Sequence, residues 1–239
     1  MRNRRSRIAS IGVLLAALVV ALVVGVSSAS GASNGKLERG RHDAAVWNSM
    51  SDSQKQAVVD RTHAMYAQFV KDFVAQHRDP RSLSVVEFDV DYWAPSPTLA
   101  SARQIAARIA HTMVRSVTFQ SSPSGNLLPE AIATVEIIES IKGSPATTVT
   151  VIQEGGPMWN SDGKGRLAEL SIDPLLLPQQ EAVLLLTDAG NGLYRTMPLV
   201  GVNLVKNNVI AVQESAAGSE IAAAINGKTV TAALATLRG

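Results

Sequence analysis

The sequence contains no cysteine, and this absence excludes several classes of protein. A chain without thiols has no disulfide framework, no thiolate metal site, no cysteine nucleophile and no lipid-modified N-terminal cysteine. The fold must therefore be stabilised by a packed core. The roughly 205 residues after Asn34 are enough to build one ordinary domain with a helical appendage.

Basic residues are not in excess once the start of the chain is set apart. The whole chain has 22 Lys and Arg against 20 Asp and Glu, but four of the arginines lie within the first seven residues. The rest of the chain therefore has 18 basic and 20 acidic residues, a net charge of −2. No basic patch argues for nucleic acid, so we predict no nucleic-acid partner.

Motifs for catalysis and for cofactor binding are also lacking. The four histidines show no metal-ligand spacing, and no Gly-x-Ser-x-Gly elbow indicates a serine hydrolase. They are His42, His63, His77 and His111. The stretch from Asn226 to Thr229 invites comparison with a phosphate-binding loop, but Ala222 stands where that loop requires its first glycine. It is read instead as a turn followed by a threonine helix cap, and we predict no catalytic residue, metal or cofactor.

The start of the chain has the pattern of an export or anchor segment. A positive stretch ending at Arg7 precedes the uncharged run Ile8 to Val26, which is followed by small residues. The run has 19 residues, within the roughly 17 to 25 that a membrane span needs. We predict a single-pass signal anchor through residues 8–26 with the bulk of the chain extracytoplasmic. The alternative is a signal cleaved after Ala29 or Ala32, which would release the protein.

Composition divides the chain into four segments. The signal segment is followed by a stretch rich in Gly, Ser, Asn and charge, which is typical of a flexible tether. The predicted segments are 1–30 (signal anchor or signal peptide), 31–50 (tether), 51–100 (helical region with one strand) and 101–239 (β-rich domain with a C-terminal helix).

An amphipathic helix is predicted from Asp52 to about His77. Ser51 to Gln54 has the form of a capping box, and Asp79-Pro80 ends the helix. Apolar residues recur at spacings of three, four and seven, at Val58, Thr62, Met65, Phe69 and Phe73. This stripe is expected to pack on its own domain, and a partner-binding face is the alternative.

A strand from Ser84 to Trp93 places carboxylates on one face, at Glu87, Asp89 and Asp91. They could bind a hard cation or serve as a general acid and base, but a solvated face is the simpler reading. The segment Ser101 to Ala110 is predicted to be helical, with Ile105 and Ile109 on one face, and a strand should follow from His111 to Phe119.

Four further strands are predicted between residues 131 and 199. They are Ala131–Ile141, Thr147–Gln153, Glu181–Thr187 and Leu193–Met197. The third is a continuous apolar run, which indicates a central strand covered on both sides. Asn191-Gly192 predicts a tight hairpin, and Lys206 to Asn208 predicts another between strands 202–205 and 209–212. A short helix should begin near Thr229.

The segment Gly155 to Gly165 is predicted to be a long loop. It contains Trp159, Asn160 and Asp162, which we take as candidate binding residues at the mouth of a β-domain. The loop partly resembles a calcium loop but lacks the closing glutamate, and Trp159 could instead be a plug that packs on the domain.

Several segments follow one another in a recognisable order. They are Ile105–Phe119, Ala131–Gly143, Thr148–Val151 with Gly155-Gly156, Asp173–Leu186 and Gly192–Tyr194. This succession resembles an uncharacterised group of exported bacterial β-domain proteins over roughly residues 101–213. Gln179-Gln180-Glu181 departs from the Gly-Glu that is usual there. The resemblance implies a layout similar to small OB or netrin barrels and no particular activity.

These patterns predict an α+β, mainly β fold. We expect a small antiparallel β-barrel or sandwich with an N-terminal amphipathic helix and a C-terminal helix, preceded by one membrane segment. The predicted function is a non-enzymatic, extracytoplasmic binding or interaction module of the bacterial cell envelope, with an envelope protein as partner. The alternatives are an envelope hydrolase using Asp89, Asp91 and His111, and a structural tether subunit.

Overall fold

The computed structural model describes residues 45–88, 96–121, 128–159 and 165–212, together with 216–239. The described part is α+β and mainly β, as predicted. The helices are α1 (Asp52–Ala75), a 3-10 helix (Pro80–Ser82), α2 (Leu99–Ile105), α3 (Glu220–Ile225) and α4 (Val230–Arg238). The strands are β1 (Ser84–Phe88), β2 (Arg108–Gln120), β3 (Glu130–Lys142), β4 (Thr148–Trp159), β5 (Gly165–Leu170), β6 (Glu181–Gly190), β7 (Leu193–Thr196), β8 (Val202–Lys206) and β9 (Val209–Val212).

The nine strands form one mixed sheet rather than a clean barrel. The order is β1-β5-β4-β3-β2-β6-β8-β9, and β7 pairs with both β4 and β6. The strands β2, β3, β4, β7 and β6 therefore pair in a closed circuit, and the other four strands extend the sheet beyond it. The prediction of an antiparallel barrel or sandwich is corrected, because β1 with β5 and β4 with β7 are parallel pairs. These pairs join strands distant in sequence, which turn signals do not reveal.

The sequence pattern predicts that strand β4 stops before its glycines, but the strand continues through them. It pairs with β3 up to Glu154 and with β5 from Gly155 onward, so the Gly155-Gly156 pair is where the strand changes partner. Both glycines have positive φ, at 131° and 146°. A Cβ atom on Gly155 would lie 2.5 Å from the Ala168 carbonyl oxygen. The described residues of the predicted long loop Gly155–Gly165, which are 155–159 and 165, are thus strand.

Helix α1 covers part of the sheet with its apolar stripe. The predicted capping box is present, with the Ser51 side chain accepting from the Gln54 amide. Buried Phe69, Val70 and Phe73 pack with Phe119 and other residues of the sheet in one apolar cluster. Met65 was predicted to share this face but is 38% exposed. The stripe therefore packs on its own domain, apart from its Met65 position.

The segment Ser101 to Ala110 is only partly helical. Helix α2 ends at Ile105, and β2 begins at Arg108, three residues before the predicted strand. Ile105 is 57% exposed whereas Ile109 is 1% exposed, so the two residues do not share a buried face. The physical reason is pairing: Arg108 to Ala110 lie beside the apolar run of β6.

Strand β6 is central, as its unbroken apolar run predicts. Val183 and Leu185 pack under the C-terminal helices, whereas Leu184 and Leu186 face the interior of the circuit. The predicted turns are also confirmed, since Asn191, Asn207 and Asn208 all have positive φ.

The C-terminal turn protects the edge of the sheet. Thr229 caps α4 by accepting from the Ala232 amide, as predicted. The Ile210 amide of β9 donates to the Lys228 carbonyl, and the Gly227 amide donates to the Ile210 carbonyl. The segment Asn226–Thr229 therefore hydrogen-bonds to the edge strand β9 and caps helix α4.

No described helix has both the length and the apolar composition needed to cross a membrane. The predicted anchor at residues 8–26 lies outside the described residues, as does most of the predicted tether.

Candidate functional site

A concavity lies between the end of α1 and strand β2. It is a cleft of about 330 Å³, a size at the lower end of the range for small-ligand sites. Its walls come from the last turn of α1, the 3-10 helix, the middle of β2 and one residue of the β5–β6 connection. They are formed by Phe73, Val74, His77, Arg78, Asp79, Pro80, Arg81, Arg115, Ser116, Val117, Thr118, Phe119 and Pro178.

The cleft has apolar walls and a cationic margin. Phe73 and Phe119 are both buried, and their rings meet edge to face with centroids 6.0 Å apart. Helix α1 ends above them, where His77 adopts a φ of 50° that stops the helical hydrogen bonding. The chain then turns into the 3-10 helix, which begins at Pro80. This turn brings cationic side chains beside the aromatic pair.

Three arginines line the cleft, and two of them are held by other groups. Arg81 forms an ion pair with Asp79 at 2.8 Å and donates to the Gln179 side-chain oxygen at 3.0 Å. Arg115 pairs with Glu136 of the neighbouring strand. Hydrogen bonding by the Arg81 side chain lowers the pKa of Asp79, so this carboxylate stays ionised. The lining therefore carries three arginine charges against one carboxylate.

Arg78 is the third arginine and is exposed. Within the described ranges its side chain has no hydrogen-bond or ion-pair partner. It is thus the group in the cleft that is available to an incoming anion.

A second polar cluster closes one end of the strand circuit. Gln153 is 1% exposed, and its amide nitrogen donates to Asp173 at 2.9 Å and to the Pro174 carbonyl at 2.8 Å. Thr196 donates to the same Asp173 oxygen at 2.5 Å. The Gln153 oxygen accepts from the Leu176 amide, so the cluster fastens the β5–β6 connection to the sheet.

Burial is the main influence on the acids near this cluster. Desolvation raises the pKa of Asp173 to about 6, although hydrogen bonds from Thr196 and Gln153 favour the ionised form. Burial likewise raises the pKa of Glu169, and the nearby charge of Glu87 adds to the effect. Asp173 can therefore change protonation state near neutral pH, but its donors belong to the protein's own framework.

Of the residues predicted to bind a ligand, Trp159 is the one that the structure describes. Trp159 is the last residue of β4, and its backbone pairs with Gly165. Asn160 and Asp162 lie outside the described residues. Trp159 therefore belongs to a strand and not to the predicted loop. The binding role of Trp159, Asn160 and Asp162 stays a prediction.

The residues considered for hydrolysis are only partly described. His111 has its Nε2 atom 2.6 Å from a Glu181 carboxylate oxygen, in a cross-strand pair between β2 and β6. Asp89 and Asp91 lie outside the described ranges. Across the described residues, no group of three or more His, Asp or Glu residues could hold a metal ion.

Sequence reasoning missed the cleft and the Asp173 cluster. The arginines of the cleft are spread from residue 78 to residue 115, and no spacing rule connects a helix end with the middle of a distant strand. In the sequence, Asp173 is notable only as the residue before Pro174 in a structural motif. A signal for Asp173 was present in its position directly before an apolar connection, but its burial depends on the fold.

A scan against models of protein families finds no match, and a search of curated proteins finds no match either.

Proposed function

We propose that this protein is a non-enzymatic binding module that takes an anionic group in the cleft between α1 and β2. The observation that carries the proposal is the cleft itself: a volume of about 330 Å³ in which Arg78, Arg81 and Arg115 surround buried aromatic rings. A guanidinium recognises carboxylate and phosphate oxygens, and an aromatic wall favours an apolar group beside them.

The shape of the cleft supports a ligand that carries both kinds of group. The cationic margin attracts the anion, whereas the small exposed parts of Phe73 and Phe119, together with Val74 and Pro178, form the apolar lining. Arg81 and Arg115 are fixed by their carboxylate partners, and Arg78 is the arginine with freedom to close on a ligand. A rigid wall with one adaptable arginine suits recognition, because few side chains lose conformational freedom when a ligand binds.

The envelope location is the second part of the proposal. It rests on the sequence from Arg2 to Ser33, in which a positive stretch, an apolar run and small residues succeed one another. The pairing order of the five-strand circuit is similar to that of small OB barrels, which supports the resemblance to exported β-domain proteins. An envelope protein that presents an acidic segment is one source of the anionic group.

Binding in the cleft can be tested with phenyl phosphate as the probe. We expect titration of the full-length chain to give saturable binding with a Kd on the order of 1 mM, and inorganic phosphate to bind more weakly because it lacks the apolar ring. Amide signals of Val117 and Thr118 should move in NMR spectra during the titration. Uncharged phenol should bind far more weakly than phenyl phosphate.

The matched variants are Arg78→Ala and Arg61→Ala. Arg61 is an exposed arginine on α1 that does not line the cleft. Arg78→Ala should weaken phenyl phosphate binding roughly tenfold, since one charged hydrogen bond is lost, and Arg61→Ala should leave it unchanged. Equal effects of the two substitutions would contradict the proposal that the cleft is the site.

The location can be tested on the chain recovered from cells. We expect mass spectrometry of the N-terminal peptide to show that residues 8–26 are retained, and protease added outside the cytoplasmic membrane to digest the β-rich part. A mature chain that begins after Ala29 or Ala32 would contradict the anchor and favour a released protein.

A further inference from the structure

Arg108 is a buried cation with no anionic partner in the described part of the chain. It begins β2, and its side chain is only 2% exposed. Its Nη2 atom donates to the Ser144 carbonyl at 2.7 Å. Its Nε and Nη1 atoms are buried and have no hydrogen-bond partner among the described residues.

The surroundings of this guanidinium are otherwise neutral. The Tyr194 ring lies beneath it, with the ring centroid 5.5 Å from Cζ, and this contact compensates part of the positive charge. The β3–β4 turn also lies close to the guanidinium, since a Cβ atom on Gly143 would lie 3.2 Å from Cζ. Gly143 has a φ of 108°, so both its conformation and this close approach favour glycine.

The carboxylates of the neighbouring strands have other partners. Glu139 pairs with Arg238, Glu181 with His111, and Asp188 accepts from the Gly190 amide. A buried charge is normally paired, because removing an ion from water is strongly unfavourable unless another charge compensates it. Arg108 departs from this rule, and its two unpaired nitrogens are donors that only an acceptor or an anion can satisfy.

We propose that Arg108 is the cationic half of an anion-binding subsite, which takes one carboxylate or phosphate group beneath the β3–β4 turn. The Nε and Nη1 atoms are free donors on opposite edges of the guanidinium, so the anionic group binds at one of these edges, and the Tyr194 ring packs against the guanidinium. The turn that covers the site, residues 143–147, is exposed along its whole length, so access requires movement of this turn and not of the core. This subsite is independent of the α1–β2 cleft.

The direct readout is the Arg108 Nε signal in NMR spectra of the full-length chain at pH 7. Titration with inorganic phosphate, and separately with acetate, should move this signal in a saturable way. A response to phosphate alone assigns the subsite to phosphoryl groups, and an equal response to acetate assigns it to oxyanions in general, carboxylates included. An Arg108 signal that neither anion moves, at concentrations on the order of 100 mM, overturns the proposal.

Thermal unfolding gives a second readout with a matched control. At an anion concentration about tenfold above Kd, the wild-type Tm should rise by about 3–5 °C. Because phosphate can also bind the cleft, the comparison is made in the Arg78→Ala background, where the further Arg108→Met substitution should remove most of this rise. A rise of the same size in the double variant overturns the assignment. If the double variant does not fold, the Nε titration of the wild-type chain still decides the question.

Discussion

Replacing Asp173 by asparagine is expected to raise the free energy of unfolding at pH 8 by up to about 3 kcal/mol. In the folded protein, burial raises the pKa of Asp173 from 3.8 to about 6, so ionisation is less favourable there than in the unfolded chain. The difference between these pKa values corresponds to about 3 kcal/mol. Asparagine keeps an oxygen for the Thr196 and Gln153 donors but carries no charge.

The pH dependence has a definite direction. Because the folded pKa is the higher one, the stability contributed by Asp173 is fully present below pH 3.8 and is lost as the pH rises through about 6. Urea unfolding should therefore show a difference between Asp173→Asn and wild type that grows over this interval and is constant above it. The exposed Asp60→Asn substitution on α1 should change stability by less than about 0.5 kcal/mol. A destabilised Asp173→Asn protein at pH 8 would mean that the ionised hydrogen bonds outweigh burial.

Replacing Gly155 by alanine is expected to lower the free energy of unfolding by about 3–5 kcal/mol. The added methyl would lie 2.5 Å from the Ala168 carbonyl oxygen, an atom of the paired strand β5 that cannot yield without breaking the ladder. It would also lie 3.1 Å from the Leu175 side chain. The φ of 131° adds backbone strain, because residues other than glycine rarely adopt it.

Gly192→Ala measures the cost of a positive φ without a clash, at a φ closer to the left-handed helical region than that of Gly155. Gly192 also has a positive φ, at 75°, but no atom lies within 4 Å of its added methyl. This variant should lose only about 1–2 kcal/mol, the cost of the backbone conformation. Urea unfolding of both variants measures the difference. If Gly155→Ala lost no more stability than Gly192→Ala, the close crossing between β4 and β5 would not be what requires a glycine.

Local signals in the sequence were sufficient where a few adjacent residues determine a conformation. The Ser51–Gln54 capping box marks the start of α1, and Asn191-Gly192 marks a turn that needs positive φ. The unbroken apolar run of β6 also predicts burial on both faces, because each face must be covered wherever the strand lies. In each case the physical requirement is met within one element.

Signals failed where the same residues are compatible with two structures. Gly155-Gly156 was read as a stop, since glycine commonly ends a strand, but here it allows β4 to leave β3 and join β5. Arg108 was placed in a helix because Ser101 to Ala110 is rich in alanine and isoleucine. Its strand conformation comes from pairing with β6, which a local window does not contain.

The candidate sites show the same division. The sequence by itself determined the secondary structure of most elements and their main buried faces. It also determined the order of positive, apolar and small residues before residue 34. Tertiary structure alone decided that β4 and β7 pair in parallel, that Arg78, Arg81 and Arg115 share a cleft, that Arg108 is buried, and that desolvation raises the pKa of Asp173. The reason is physical: propensity and periodicity act over a few residues, whereas desolvation and charge pairing depend on groups that only chain folding brings together.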